Sequence, residues 1–181
     1  IYVTDYDTNT VVKLFPDGTM LTAFGGTGSG DGQINIPDSV ALDADGNVYV
    51  SEFGNRRIQK FDPNGFFALK FTYTGEGAAA FKPTGIKVDS SGNIFVLDIG
   101  GRRFFKFDAN GNFLQQLASP GMGDGQLDSP QSLDIDEHGN IYVTDNHIDS
   151  VQVFGPDGKF IYKFGGRGTG LGQFTFSEGI T

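Results

Sequence analysis

Four carboxylates recur at one place in this chain. Asp5, Glu52, Asp98 and Asp145 each close an apolar stretch, in "IYVTD", "VYVSE", "IFVLD" and "IYVTD". Four and five residues beyond two of them stand the arginine pairs Arg56–Arg57 and Arg102–Arg103; the matching positions elsewhere hold Asn9 and Thr10, and Asp149 and Ser150. Carboxylates converging at one level could hold a cation or meet a cationic partner. The plainer chemistry is a carboxylate at a strand end that accepts hydrogen bonds from backbone N–H groups or a guanidinium. The asymmetry among the four copies is where specificity would reside. The candidate ligand-binding set is therefore Asp5, Glu52, Arg56, Arg57, Asp98, Arg102, Asp145, His147 and Asp149.

Catalytic and metal signals are thin. The chain has two histidines and no cysteine, and His138 sits in the turn "DEHGN" while His147 follows Asp145. "DADGN" and "DIDEHGN" lack the spacing and distal Glu of a calcium loop and read as hairpin turns. "GGTGSGDG" has the glycines of a phosphate cradle without its lysine or following helix. No Ser-His-Asp set assembles. No catalytic residue, metal ligand or cofactor is expected.

The elements that position these residues form a repeat. The strands at 1, 48, 94 and 141 are spaced 47, 46 and 47 apart, and 17 residues after each start comes a turn glycine: Gly18, Gly65, Gly111 and Gly158. Between them run "VVKL", "IQKF", "FFKF" and "VQVF". After each turn a strand ends on Phe24, Phe71, Leu117 or Phe164. A Gly-rich connection, a short apolar strand ("SVALD", "GIKVD", "SLDID") and a "GN" turn then lead back to the start. Four strands in about 45 residues match one antiparallel propeller blade, and period-3.6 apolar spacing is absent. The expected fold is all-β, a propeller domain over 1–181 with repeats starting at Ile1, Val48, Ile94 and Ile141. The recurring Phe and Leu positions read as wedges between blades.

Three times each the chain shows "GQ" (at 32, 125 and 172), Pro-x-x-(V/I/L)-x-(V/L/I)-Asp (from 37, 83 and 130) and Gly-Asn-(I/V)-(Y/F)-Val-x-(D/E) (from 46, 92 and 139), and in one copy "NRRIQKFDPNG". This pattern resembles the NHL repeat family, with Asn55, Arg56, Arg57 and Ile58 at its name-giving segment. Thr8, Gly101 and Ile148 replace Asn55, and Ser177 replaces the proline of 37, 83 and 130. The resemblance implies a β-propeller, for which six blades is the family habit. Zinc lyases of NHL-like architecture gather several imidazoles on the metal, and this chain departs from them there.

The chain ends "FSEGIT", just inside the first strand of a unit. Two arrangements stay open: a four-bladed ring whose C-terminal strand completes the first sheet beside residues 1–5, or part of a larger ring. Self-association is expected if four units cannot close alone. Alternation along the strands puts the "GN" and "(P/A)(D/N)G" turns at one end and the Gly-rich connections, with the segments after the four carboxylates, at the other. The second end has the longer and more variable loops, as binding loops on a rigid scaffold do.

Net charge is −9 and no cationic stripe exists, so nucleic acid is disfavoured as a partner. No apolar run approaches the length of a membrane span. The leading expectation is a non-enzymatic propeller scaffold that presents its loop-rich face to a protein, peptide or glycan, in an extracellular or periplasmic setting. The alternative is a propeller hydrolase or lyase with a metal near the axis, held by Asp5, Glu52, Asp98, Asp145 and His147.

Overall fold

The turn residues dictate the hairpins. In the turn that opens at Asp43, the carboxylate accepts from Asp45 N at 3.1 Å and Asn47 N at 2.9 Å, while Gly46 takes φ 81°. Asp89 and Asp136 repeat this with Asn93 and Asn140. An aspartate that caps its own turn and a glycine free of the Cβ penalty together reverse the chain.

The computed structural model describes residues 1–181 and is all-β apart from one 3₁₀ turn, Ala78–Ala80. The first sheet has three strands, β1 (Tyr2–Asp5), β2 (Thr10–Leu14) and β3 (Met20–Gly25). The second is β4 (Pro37–Leu42), β5 (Val48–Glu52), β6 (Arg57–Phe61) and β7 (Phe67–Phe71); the third is β8 (Pro83–Val88), β9 (Ile94–Asp98), β10 (Arg103–Phe107) and β11 (Phe113–Leu117). Two short parallel segments, β12 (Ser119–Pro120) and β13 (Gln126–Leu127), clip the loop that enters the fourth sheet. That sheet is β14 (Pro130–Ile135), β15 (Ile141–Asp145), β16 (Ser150–Phe154) and β17 (Phe160–Gly165). All four sheets are antiparallel meanders. Each complete sheet takes its first strand from the end of one sequence repeat and its other three from the next. No helix is long and apolar enough to cross a membrane.

One apolar cluster fills each of the three interfaces between successive sheets. Val11, Ile34, Val50 and Phe61 join the first to the second; Tyr49, Ile58, Ile86 and Phe105 the second to the third; Phe95, Phe104, Leu133 and Phe154 the third to the fourth. Three of the four expected wedges stand here: Phe24 meets Phe61 at 4.9 Å and Phe71 meets Phe107 at 5.1 Å, ring to ring, and Leu117 joins the third cluster, while Phe164, with no sheet after it, stays 43% exposed. A turn glycine of the following sheet makes room for each of these three. A Cβ at Gly65 would strike the Phe24 ring and one at Gly111 the Phe71 ring. Fully burying a Phe is worth roughly 1.5–3 kcal/mol, so the same three-way contact supplies much of the cohesion along the array.

The strand expected to complete the first sheet from the C-terminus is not formed there. β1 pairs with β2 alone, and residues 177–181 form no strand. The reason lies in the anchors of that segment: Thr144 Oγ1 donates to Glu178 O at 3.0 Å and Phe176 N to Asp149 Oδ1 at 3.3 Å. These repeat the contacts by which the first sheet holds the entry to the second, Thr4 Oγ1 to Asp38 O and Ile36 N to Asn9 Oδ1. The segment thus lies against the fourth sheet, and Val3 stays 44% exposed while Val50, Val96 and Val143 are fully buried.

Candidate functional site

The strand-end carboxylates lie at the loop-rich end of the array, and three of them are buried to 0% exposure: Glu52, Asp98 and Asp145. Glu52 accepts from Arg57 Nε (2.7 Å), Gln59 Nε2 (2.7 Å), Asn35 N (3.0 Å) and Asn55 Nδ2 (2.5 Å). Asp98 accepts from Lys82 N, Gly101 N and Arg103 Nε. Asp145 has no cation and accepts instead from Asp128 N, Ser129 N, His147 N and Ile148 N. Asp5, at the surface, caps Asp7 N and Thr8 N, and these bonds, Thr8 first, hold its carboxyl below the usual range. With both oxygens engaged, Glu52, Asp98 and Asp145 tie their sheets to the loops that enter them, whereas Asp5 caps only the turn that follows it. Nowhere do three or more His, Asp or Glu side chains converge as metal ligands would.

The two arginines of each pair part company. Arg57 and Arg103 begin β6 and β10 with side chains turned inward, and the guanidinium of Arg57 also donates to Ser29 O, Gly30 O and Gln33 O in the entering loop. Arg103 does likewise with Glu76 O and Gly77 O and lies 4.8 Å from the Phe105 ring centroid. Arg56 and Arg102 stand one residue earlier, in the left-handed region, both at φ 53°. Asn9 (φ 56°) and Asp149 (φ 47°) occupy the same station in the first and fourth sheets. A non-glycine residue there costs about 1–2 kcal/mol.

What the strained station gains is a latch to the next sheet. Asn9 Oδ1 accepts from Ile36 N (2.6 Å), Arg56 Nη1 donates to Ala79 O (3.0 Å), Arg102 Nη1 donates to Asp128 Oδ1 (2.6 Å), and Asp149 Oδ1 accepts from Phe176 N. The short Asn and Asp fold inward to reach backbone. The arginines reach outward and remain exposed, leaving most of their five donors to solvent.

Between the third and fourth sheets the latch becomes a three-residue cluster. Asp128 bridges Arg102 and His147, whose Nδ1 contacts Asp128 Oδ2. The His147 hydrogen bond, followed by the Arg102 charge, holds the Asp128 carboxyl below the usual carboxylate range. Arg102 and His147 side chains are 53% and 60% exposed. Asp128, Lys82 and Phe53 do not follow from the repeat pattern as site residues. Asp128 does carry a charge where its counterpart Asn35 has none, and that difference was the available signal.

The opposite end has a different character. Asp17, Asp43, Asp62, Asp89, Asp108, Asp136 and Asp157 each cap their own turn. The same chemistry recurs copy after copy.

A model of the NHL repeat matches residues 35–61. The chain carries an NHL repeat. The matched stretch holds Glu52, Asn55, Arg56, Arg57 and Gln59, so the buried carboxylate and the strained arginine of the second sheet lie within the NHL unit. NHL repeat-containing protein 3 of Homo sapiens is 39% identical over 93 residues, 47% of this chain and 27% of that protein. Its counterpart from Mus musculus is 40% identical over the same length. The match thus spans about a quarter of these relatives. Among solved structures, a streptogramin B lyase superposes with TM-score 0.71 and 18% identity over 90% of this chain and 50% of that one. Hydrazine synthase of Kuenenia stuttgartiensis gives TM-score 0.68 and 12% identity, over 90% and 44%. The chain spans about half the length of these structures. At such identities the likeness is one of fold, and the fold is that of β-propeller proteins.

Proposed function

We propose that this chain is a binding module that presents the loop-rich end of an NHL-type propeller to a protein or peptide partner. One observation carries the reading: the two ends divide the work. The turn end repeats self-capped aspartates, whereas the loop-rich end holds exposed, chemically distinct groups on a rigid buried frame: Arg56 in the second sheet, Arg102 in the third and His147 in the fourth. Variation on a fixed scaffold is how recognition surfaces are built. The engaged oxygens of Glu52, Asp98 and Asp145 support a framing role for the carboxylates, with the arginines and His147 as contact residues.

Charge reversal at each end tests this. Arg102→Glu with His147→Glu is expected to abolish capture of a protein partner from cell extract, while Asp17→Lys with Asp157→Lys leaves it intact. Loss of capture from the turn-end pair alone would overturn the reading. Capture of a glycan with no protein would redirect it to the other ligand class.

A further inference from the structure

The loop-rich end carries two cations that the protein itself does not neutralise. Nine of the thirteen Lys and Arg side chains lie within 4.0 Å of a carboxylate. The exceptions are Lys13, Arg56, Lys82 and Lys106. Lys13 and Lys106 lie along strands toward the turn end, each about 5.2 Å from the centroid of a neighbouring ring, Tyr2 and Phe95. Lys13 also donates to Pro63 O. Arg56 and Lys82 flank one turn at the opposite end. Arg56 Nη1 meets Ala79 O at 3.0 Å, and Lys82 follows three residues later with its ammonium 5.1 Å from the Phe53 ring centroid. In a chain of net charge −9, two unmatched cations beside one loop are out of keeping with the rest of the surface.

The loop beside them is also the odd one of the set. The loops entering the second and fourth sheets carry Gln33 and Gln126, whose Oε1 atoms accept from Gly30 N and Gly123 N; Gln173 does the same for Gly170. The loop entering the third sheet has no such glutamine. It buries Tyr73 against Phe105, ring centroids 4.2 Å apart, and rises into the 3₁₀ turn Ala78–Ala80, whose side chains are methyl groups. Ala79 and Ala80 are exposed, so a small apolar ledge lies beside the Arg56 contact and just before Lys82 in the chain. On the other side of Arg56 lies a cleft of about 320 Å³ lined by Asn55, Arg56, Arg57, Lys70, Phe71 and Thr72. No carboxylate lines it, although Asp31 engages Lys70 at 2.5 Å. Arg56 holds its strained φ of 53° at the junction of ledge and cleft, and strain is retained where the surroundings over-determine it.

We infer that Arg56 and Lys82 receive an acidic peptide segment of the partner, with one carboxylate forked on the Arg56 guanidinium, a second at Lys82, and an apolar side chain on the alanine ledge beside Arg56. The inference rests on the proposed function and names the chemistry of its partner. Planar two-point recognition of a carboxylate is what an exposed guanidinium does best. Nucleic acid binding draws its affinity from a stripe of many phosphate contacts, and only two unmatched cations are offered here. A sulfated sugar chain has no apolar group for the ledge.

The probe is a dye-labelled octapeptide of alternating Glu and Leu, with its Gln-Leu counterpart as control, followed by fluorescence anisotropy. The Glu peptide binds and the Gln peptide does not. Arg56→Gln with Lys82→Gln weakens binding by at least about tenfold, the scale of losing charge-assisted contacts. Lys13→Gln with Lys106→Gln removes the same charge from the other unmatched cations and leaves binding within about twofold, because exposed charges well apart are screened. All four substitutions are neutral and conservative in size, and an unchanged thermal melt confirms folding. Equal loss from both pairs, equal binding of the Gln peptide, or binding of a heparin oligosaccharide through Arg56 and Lys82 where the Glu peptide fails would each overturn the inference. If partner capture depends on Arg102 and His147 but not on Arg56 and Lys82, this inference falls and the broader reading stands; if it depends on the turn end, the broader reading falls.

Discussion

The second and fourth sheets solve one problem in two ways. Each buries a carboxylate at the end of its second strand, Glu52 or Asp145, with no exposure to water. In the second sheet the Arg57 guanidinium lies 2.7 Å away and reaches on to three carbonyls of the entering loop. In the fourth, Ser150 stands in place of that arginine, and four backbone N–H groups hold the carboxylate at 2.7–3.4 Å. A buried anion needs compensation of either kind, and the choice decides what its removal costs. Losing one partner of a buried ion pair strands the other charge, whereas removing a charge held by dipoles leaves only weakened hydrogen bonds.

Arg57→Ala should therefore show the largest effect, a loss of about 3–5 kcal/mol in stability, read from the shift of a denaturant unfolding midpoint. A loss below about 1 kcal/mol, the size expected of a surface pair, would break the comparison. Asp145→Asn comes next. The amide keeps one acceptor oxygen for four donors, and the expected cost is about 1–3 kcal/mol. If Asp145→Asn proves as damaging as Arg57→Ala, the backbone cradle is no gentler than the ion pair. Smaller again is the contrast at the strained station. Arg56→Gly should be more stable than Arg56→Ala by about 1 kcal/mol, since glycine alone adopts φ 53° without a Cβ penalty. Equal stability of the two would show that the surroundings relax the strain.

Much of the architecture was legible because one physical pattern is written four times. Turn glycines at 18, 65, 111 and 158, with the wedges at 24, 71 and 117, mark strand ends and sheet contacts without any tertiary information. The site was less legible. Arg56 and Arg57 are adjacent and identical in type, yet one is an exposed latch and the other a buried strut. Strand parity and a positive φ make that difference, and neither is written in the side chain. Asp128 is marked in the sequence only by its charge where Asn35 has none, and its partners are hidden for a related reason. It acts through Arg102 of the preceding sheet and His147 of its own, 26 and 19 residues away, and the repeat register aligns equivalent positions without showing which unlike positions touch. The resting place of residues 177–181 depended on anchors, Thr144 and Asp149, whose partners the sequence does not declare.

The Arg102–Asp128–His147 cluster sharpens the same comparison at the surface, and its effect is the smallest. The Asp128 carboxyl sits below the usual carboxylate value, held there first by the hydrogen bond from His147 and then by the charge of Arg102. Because the folded-state value is depressed, the latch between the third and fourth sheets contributes fully above the unfolded value, near 3.9 for an aspartate. It is lost as pH falls through the lower folded value. A side-chain carboxyl NMR titration should place Asp128 below that reference, with His147→Ala moving it up more than Arg102→Gln does. In such a cluster the anion is shared between two sheets and both of its side-chain partners, Arg102 and His147, stand open to water, so mutation of either partner changes where Asp128 titrates far more than how firmly the protein folds. Equal displacement by the two variants would assign the pairing to charge alone, and an unshifted Asp128 would remove the cluster from the latch.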